Sequence, residues 1–175
     1  MASHFRKLRD AKSLLARITA LLVLSGLLSV PVLASDILNM STRGFAGVGE
    51  ETLTPGIVVT GSDSTDSTEI LVKVRGPSLP NSISGRLFDP KFTLMRLTDN
   101  GPVPVISNDN WEEGETASLV LQTGLAPSSP LEPAVVVELD PGSYTVLVSG
   151  VGGTTGVALP SVTETDVIDD YDSAR

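Results

Sequence analysis

The chain has 175 residues, with 12 Lys and Arg against 21 Asp and Glu, one His and no Cys, for a formal net charge of −9. Without cysteine there is no disulfide framework, no thiol chemistry and no lipid attachment through a lipobox; the only histidine is His4, so Ser-His-Asp and Cys-His catalysis and histidine- or cysteine-based zinc sites are excluded from everything that follows it. An acidic excess of this size repels phosphate backbones, which argues against nucleic acid as a partner.

The chain opens with Arg6, Lys7, Arg9, Lys12 and Arg17 against one acid, Asp10, and then runs through "ITALLVLSGLLSV" from Ile18 to Val30 almost without polar groups. A basic segment followed by an apolar one is the pattern of a secretory leader. Pro31 ends the run, and Val32-Leu33-Ala34 before Ser35 supplies small residues where a signal peptidase needs them, so cleavage is expected after Ala34. An uncleaved anchor is the competing reading, but the apolar run is at the short edge of a bilayer span. There is no twin arginine, which makes general secretion the simpler route. The remaining Ser35 to Arg175, 141 residues, carries 7 basic and 20 acidic side chains, net −13. That length suits one domain with a single core. A soluble, monomeric protein in the periplasm or outside the cell is expected, with no membrane attachment and with divalent cations as a ligand class its charge would favour.

After the leader the apolar runs are short, β-branched and divided by turn residues. Strands are predicted at Ile37 to Thr42, Ile57 to Thr60, Thr68 to Val74, Phe92 to Leu97, Val103 to Ser107, Val135 to Leu139, Tyr144 to Ser149 and Val157 to Val162. The alternation is clearest in "SYTVLVS", where Tyr144, Val146 and Val148 share one side. Turn residues at 63–67, Asp99-Asn100-Gly101-Pro102 and Asp140-Pro141-Gly142 separate the strands. Glu115 to Gln122 differs: it holds helix formers, a threonine able to cap and Gly124 just beyond, which predicts a short helix after Trp111. The acidic tail, 163–175, has little to bury and is expected to be partly disordered. Together these elements predict an all-β, jelly-roll-like antiparallel sandwich of about eight strands, occupying 35–162. Its core would be Ile57, Val59, Ile70, Val72, Val74, Phe92, Leu94, Val135, Val137, Tyr144, Val146 and Val148.

The chemistry left to such a chain is narrow. Neither Lys73 nor Lys91 lies in a Ser-x-x-Lys motif, which removes Ser-Lys catalysis. Paired carboxylates, as in glycosidases, remain, although acids scattered through turns and the tail read as solvated loops. Gly150 to Gly156, "GVGGTTG", lies between two strands rather than opening a helix, so it reads as a hairpin connection and not as a phosphate cradle. Arg75-Gly76-Pro77-Ser78 reads as a strand exit, and Asn39-Met40-Ser41 is a chance match to a glycosylation sequon. The stretch "ISNDNWEEGE" from Ile106 to Glu115 holds the only tryptophan and the densest set of side-chain oxygens. Three readings apply to it: an asparagine-rich turn satisfying its own backbone, a calcium site drawing on Asn108, Asp109, Asn110 and Glu112, or a sugar platform on Trp111. Adjacent side chains on an extended backbone diverge, which favours the turn, with Trp111 pinning the corner to the core.

Five segments in order, "LNMSTRGFAGVGE", "VRGPSL", "LFDPKFTL", "SNDNW" and "TGLAPSSPLEPAVVVELDPGSYTVLVSGVGGTTGVAL", resemble a family of secreted bacterial domains of unknown function. The resemblance covers roughly residues 38–159. It implies an extracellular β-sandwich and carries no assigned activity. "PGSYTVLVSG" is also similar to the last strands of bacterial pre-peptidase C-terminal domains, jelly-roll-like modules of which some bind calcium or carbohydrate. The chain departs from the first pattern at Pro160, where proline predicts a short, peripheral final strand. The expected function is therefore a non-catalytic module for interaction or structure outside the cytoplasm, with an extracellular protein or a glycan as partner and no catalytic residue or cofactor. A calcium-dependent or carbohydrate-binding module using Asn108 to Glu115 is the alternative, and a carboxylate-based glycan-active enzyme the third.

Overall fold

The period-2 pattern of "SYTVLVS" is realised in the strand Gly142–Gly150, where Tyr144, Val146 and Val148 are buried and the residues between them are more open. The computed structural model describes residues 39–61 and 66–165. The leader with its cleavage site, positions 62–65 of one expected turn and positions 166–175 of the tail lie outside the described residues.

The described residues form β1 (Asn39–Ser41), β2 (Gly44–Ala46), β3 (Gly56–Val59), β4 (Thr68–Arg75), β5 (Pro90–Thr98), β6 (Gly101–Asn108), β7 (Ala134–Leu139), β8 (Gly142–Gly150), β9 (Gly156–Glu164) and one α-helix, α1 (Ala117–Gln122). One antiparallel sheet runs β1-β9-β4-β7, with β2 also on β9; the other runs β3-β8-β5-β6. The two pack as the expected sandwich. Each of the twelve core residues named from alternation is found in the cluster between the sheets, with Ile57 and Val137 partly buried. Ala46, Leu87, Leu139 and Ala158 complete it. Within the described residues, no helix is long and apolar enough to cross a membrane.

Three expectations are corrected. The Gly150–Gly156 segment is not a hairpin: β8 and β9 belong to different sheets, and the segment carries the chain from one to the other through a 3-10 turn at Val151–Gly153. Thr116 occupies the helix N-cap position but makes no capping bond. The third concerns Pro160, which lies mid-way along a nine-residue strand that is central in its sheet.

The register explains how a central strand tolerates that proline. Pro160 stands opposite Val74, whose N–H donates to Pro133 O at 3.0 Å on the β7 side. Backbone groups alternate along a strand, so Pro160 turns its nitrogen away from β4 and toward Thr42, whose own N–H donates to Pro160 O at 3.1 Å. The missing donor thus falls on the edge side of β9. There it interrupts one edge strand, held in a single register, into the short pieces β1 and β2. The same strand runs on to Glu164, and Thr165 N donates to Glu69 O at 3.1 Å, so ordered sheet extends past the expected start of the tail.

The β7–β8 corner is held by Tyr144, whose hydroxyl donates to Asp140 O at 2.8 Å. Arg96 lies 5.8 Å from the centre of the Tyr144 ring and pairs with Asp140 at 3.3 Å. Burial raises the Tyr144 phenol above its ordinary range.

Candidate functional site

The chemistry-bearing residues gather on the outer face of the β4–β7 sheet, under the long connection from β6 to β7. There Trp111 and Val120 of α1 close over Leu71, Ala134 and Val136, with Leu125 and Ala126 beside them, in a second apolar cluster separate from the sandwich core. Trp111 is 7% exposed. Its indole therefore offers no face to a sugar, which removes the stacking reading, and it pins the corner to the outside of the sheet rather than to the core. Gly124 ends α1 with φ +66°, a conformation open to glycine at little cost.

Asn108 and Thr116 do something that residue type alone does not announce. Pro133, just before β7, and Val135 and Val137 within it turn their backbone groups to β4, so Ala134 and Val136 turn theirs to the open edge. Ala134 N donates to Asn108 Oδ1 at 3.0 Å, and Val136 N donates to Thr116 Oγ1 at 3.3 Å. Two residues before β7, Glu132 O accepts from Trp111 N at 3.2 Å. The segment 108–116 therefore runs along β7 and occupies the hydrogen-bonding groups that an exposed edge would offer to another chain. Asn108 Nδ2 also donates to Asn110 O at 3.1 Å, closing the local turn.

Among the four calcium candidates, Asn108 thus has its side-chain oxygen on a backbone amide, Asn110 Oδ1 is buried, and Asp109 and Glu112 are exposed. Among the described residues no group of three Asp, Glu or His side chains converges to hold a metal. Asp109 instead contributes, with Asn108, to an open groove of about 370 Å³ on the outer face of the other sheet, lined also by Lys91, Phe92, Thr93, Ser107 and Ser149. Thr93 and Ser107 hydroxyls meet there at 2.9 Å.

Glu132 was missed in the sequence because it sits in a Pro-flanked loop where acids are usually solvated. Its carboxylate is fully buried, and Oε1 accepts from Gly76 N and Ser78 N, each at 2.8 Å. This gives Arg75-Gly76-Pro77-Ser78 more than a strand exit. Arg75 grips Ser78 through Nε to Oγ at 3.0 Å and Nη2 to the carbonyl at 2.9 Å, and Leu79 N closes the turn on Gly76 O at 3.1 Å. A Cβ at Gly76 would stand 2.1 Å from Leu87 O, so only glycine fits beneath the carboxylate. Glu132 Oε2, Trp111 Nε1 and Asn110 Oδ1 are buried without a hydrogen-bond partner among the described residues, a polar cost that this corner carries.

Lys73 lies on the same face and donates to Leu125 O at 2.8 Å, tying β4 to the loop after α1. Burial and then the neighbouring Arg75 cation lower its pKa, while Glu132 partly offsets them. A cation with a lowered native pKa disfavours folding where it is protonated in both states. That penalty is relieved as pH rises from the lowered native value toward the ordinary 10.5, where the unfolded chain binds more protons. Lys73→Met should therefore remove an alkaline gain in stability: urea midpoints of wild type and variant, compared from neutral pH upward, should shift in favour of wild type as pH nears 10.5. Parallel profiles would refute this.

No family model matches the sequence, and no curated protein does. Among solved structures the chain is similar to the pre-peptidase C-terminal domain of a collagenase from Bacillus anthracis, at 13% identity and a TM-score of 0.44, with 72% of this chain and 90% of that chain covered. The five-segment pattern has no matching family model. The geometry described above rests on this chain's own residues.

Proposed function

We propose that the protein is a non-catalytic β-sandwich module that acts outside the cytoplasm through interaction or structure, with the groove over β5, β6 and β8 as its contact face for an extracellular protein or a glycan. The observation that carries this reading is where the polar chemistry goes. Glu132, Arg75, Lys73, Asn108 and Thr116, the side chains best placed for a reaction, all bind this chain's own backbone or turns. The groove is lined instead by short hydroxyls, one cation and one acid, which suits reversible contact with a hydroxyl-rich or mixed-charge partner. Secretion is supported by the leader pattern of the first 34 residues.

Two measurements on the protein test it. A screen against soluble glycans should show no release of reducing ends; release abolished by a single Asp or Glu substitution would replace the module with a carboxylate enzyme. The melting temperature should be the same in millimolar calcium and in chelator. A calcium-dependent rise, lost on substituting Asp109 and Glu112, would make it the calcium-dependent module instead.

A further inference from the structure

The sheet edges are not treated alike. On β6, Pro102 and Pro104 occupy alternate positions and face away from β5, because Arg96 of β5 turns toward β6 and its partner is Val103. That edge has lost two donors. The β7 edge is closed by Asn108, Trp111 and Thr116. The β1–β2 edge is short and broken at Thr42. Among the described residues β3 has none of these devices. Val146 N and Val148 N donate to Pro55 O and Leu53 O, each at 2.9 Å, so Ile57 and Val59 continue toward β8 while Gly56 and Val58 turn their N–H and C=O groups outward. No charge or proline interrupts Gly56–Val59, and Val58 is 71% exposed.

Beside this edge the two sheets leave an apolar groove of about 250 Å³, lined by Met40, Thr42, Pro55, Gly56, Pro160 and Val162. It lies where Pro160 breaks the opposing edge strand. A strand added alongside β3 would bond Gly56 and Val58 through its backbone and send alternate side chains inward, into that groove. A second copy of the chain is a poor occupant: its own β3 already commits Ile57 and Val59 inward to its core, and it brings the same excess of acid. The described residues hold six Lys and Arg against fourteen Asp and Glu, and Glu50 and Glu51 are exposed just upstream of β3.

We infer that the β3 edge is a strand-addition site for an extended peptide segment with apolar residues at alternate positions and basic flanks. The inference goes beyond the module reading and uses a surface distinct from the groove over β5, β6 and β8. The probe is a fluorescein-labelled Lys-Lys-Val-Thr-Val-Thr-Val-Lys-Lys peptide, with a control of the same length in which the central valine is proline. Saturable binding of the first peptide is expected, weakened at least tenfold in the control and at least tenfold by Val58→Pro, which removes an outward donor. Val58→Lys, at an exposed position, serves if the proline variant does not fold, and should weaken binding similarly. No saturable binding by wild type, or equal binding by the variants, overturns the inference. Concentration-dependent dimerisation abolished by Val58→Lys would overturn it in favour of a second copy. None of these results bears on glycan hydrolysis or calcium, so failure here leaves the module reading intact.

Discussion

Replacing Glu132 with alanine is expected to cost about 3–5 kcal/mol of folding stability, the largest effect of any single carboxylate substitution in the described chain. Two amides, the buried Gly76 N and the part-buried Ser78 N, give up an acceptor whose side chain is fully buried. Each buried donor left without a partner costs about 1–3 kcal/mol, and hydrogen bonds to an ionised group lie at the upper end. Partial relief comes from removing Oε2, which has no partner among the described residues. For a domain whose whole stability is about 5–15 kcal/mol, the loss is a large fraction. Glu132→Gln keeps an oxygen for both amides while removing the charge, so it should lose only about 1–2 kcal/mol. Urea midpoints measure both variants; a negligible loss in Glu132→Ala would show that the carboxylate is not what holds the Gly76–Leu79 turn.

The second large effect is expected at Trp111. Truncation to alanine empties the cluster over Leu71, Ala134 and Val136, a large-to-small change of about 3–5 kcal/mol. It also loosens the segment that covers β7, so aggregation on heating should increase together with the loss of stability. Trp111→Phe retains an aromatic filler and removes the unpartnered indole N–H, and should cost clearly less, about 1–2 kcal/mol. If alanine and phenylalanine variants melt together, or if alanine is neutral, the indole is not the keystone of this face.

The sandwich core was legible because alternation is enforced wherever one sheet face is buried: "TEILVKV" and "SYTVLVS" announce themselves through Ile70, Val72 and Val74 and through Tyr144, Val146 and Val148. Gly44–Ala46 was not, since three residues without a β-branched side chain carry no pattern and depend on β9 for their pairing. Pro160 misled because a strand position was judged without knowing which way its nitrogen points, and that is set by the partner strand's register. The helix after Trp111 was read correctly, yet the cap assigned to Thr116 failed, because the hydroxyl found a sheet-edge amide instead. Glu132 and Asn108 escaped for a shared reason. Their roles are contacts with amides 56 and 26 residues away, and no local composition encodes a distance of that kind.

The corner around Trp111 thus changes character once its partners are known. The Asn108 amide binds the chain's own backbone, Asn110 Oδ1 is buried, and the carboxylates face solvent. A polar-rich loop beside a lone tryptophan invites a ligand-binding interpretation, but an edge that must be kept from pairing explains the same residues with fewer assumptions.

Amide hydrogen exchange at Ala134 and Val136 tests this most directly. In the wild-type protein both amides should be protected, although among the described residues no strand lies on that side of β7. Asn108→Ala should accelerate Ala134 at least tenfold, and Thr116→Val should do the same to Val136, with β8 and β9 amides unchanged and calcium without effect. Rapid exchange of both amides in wild type, or their protection by added calcium, would contradict the account.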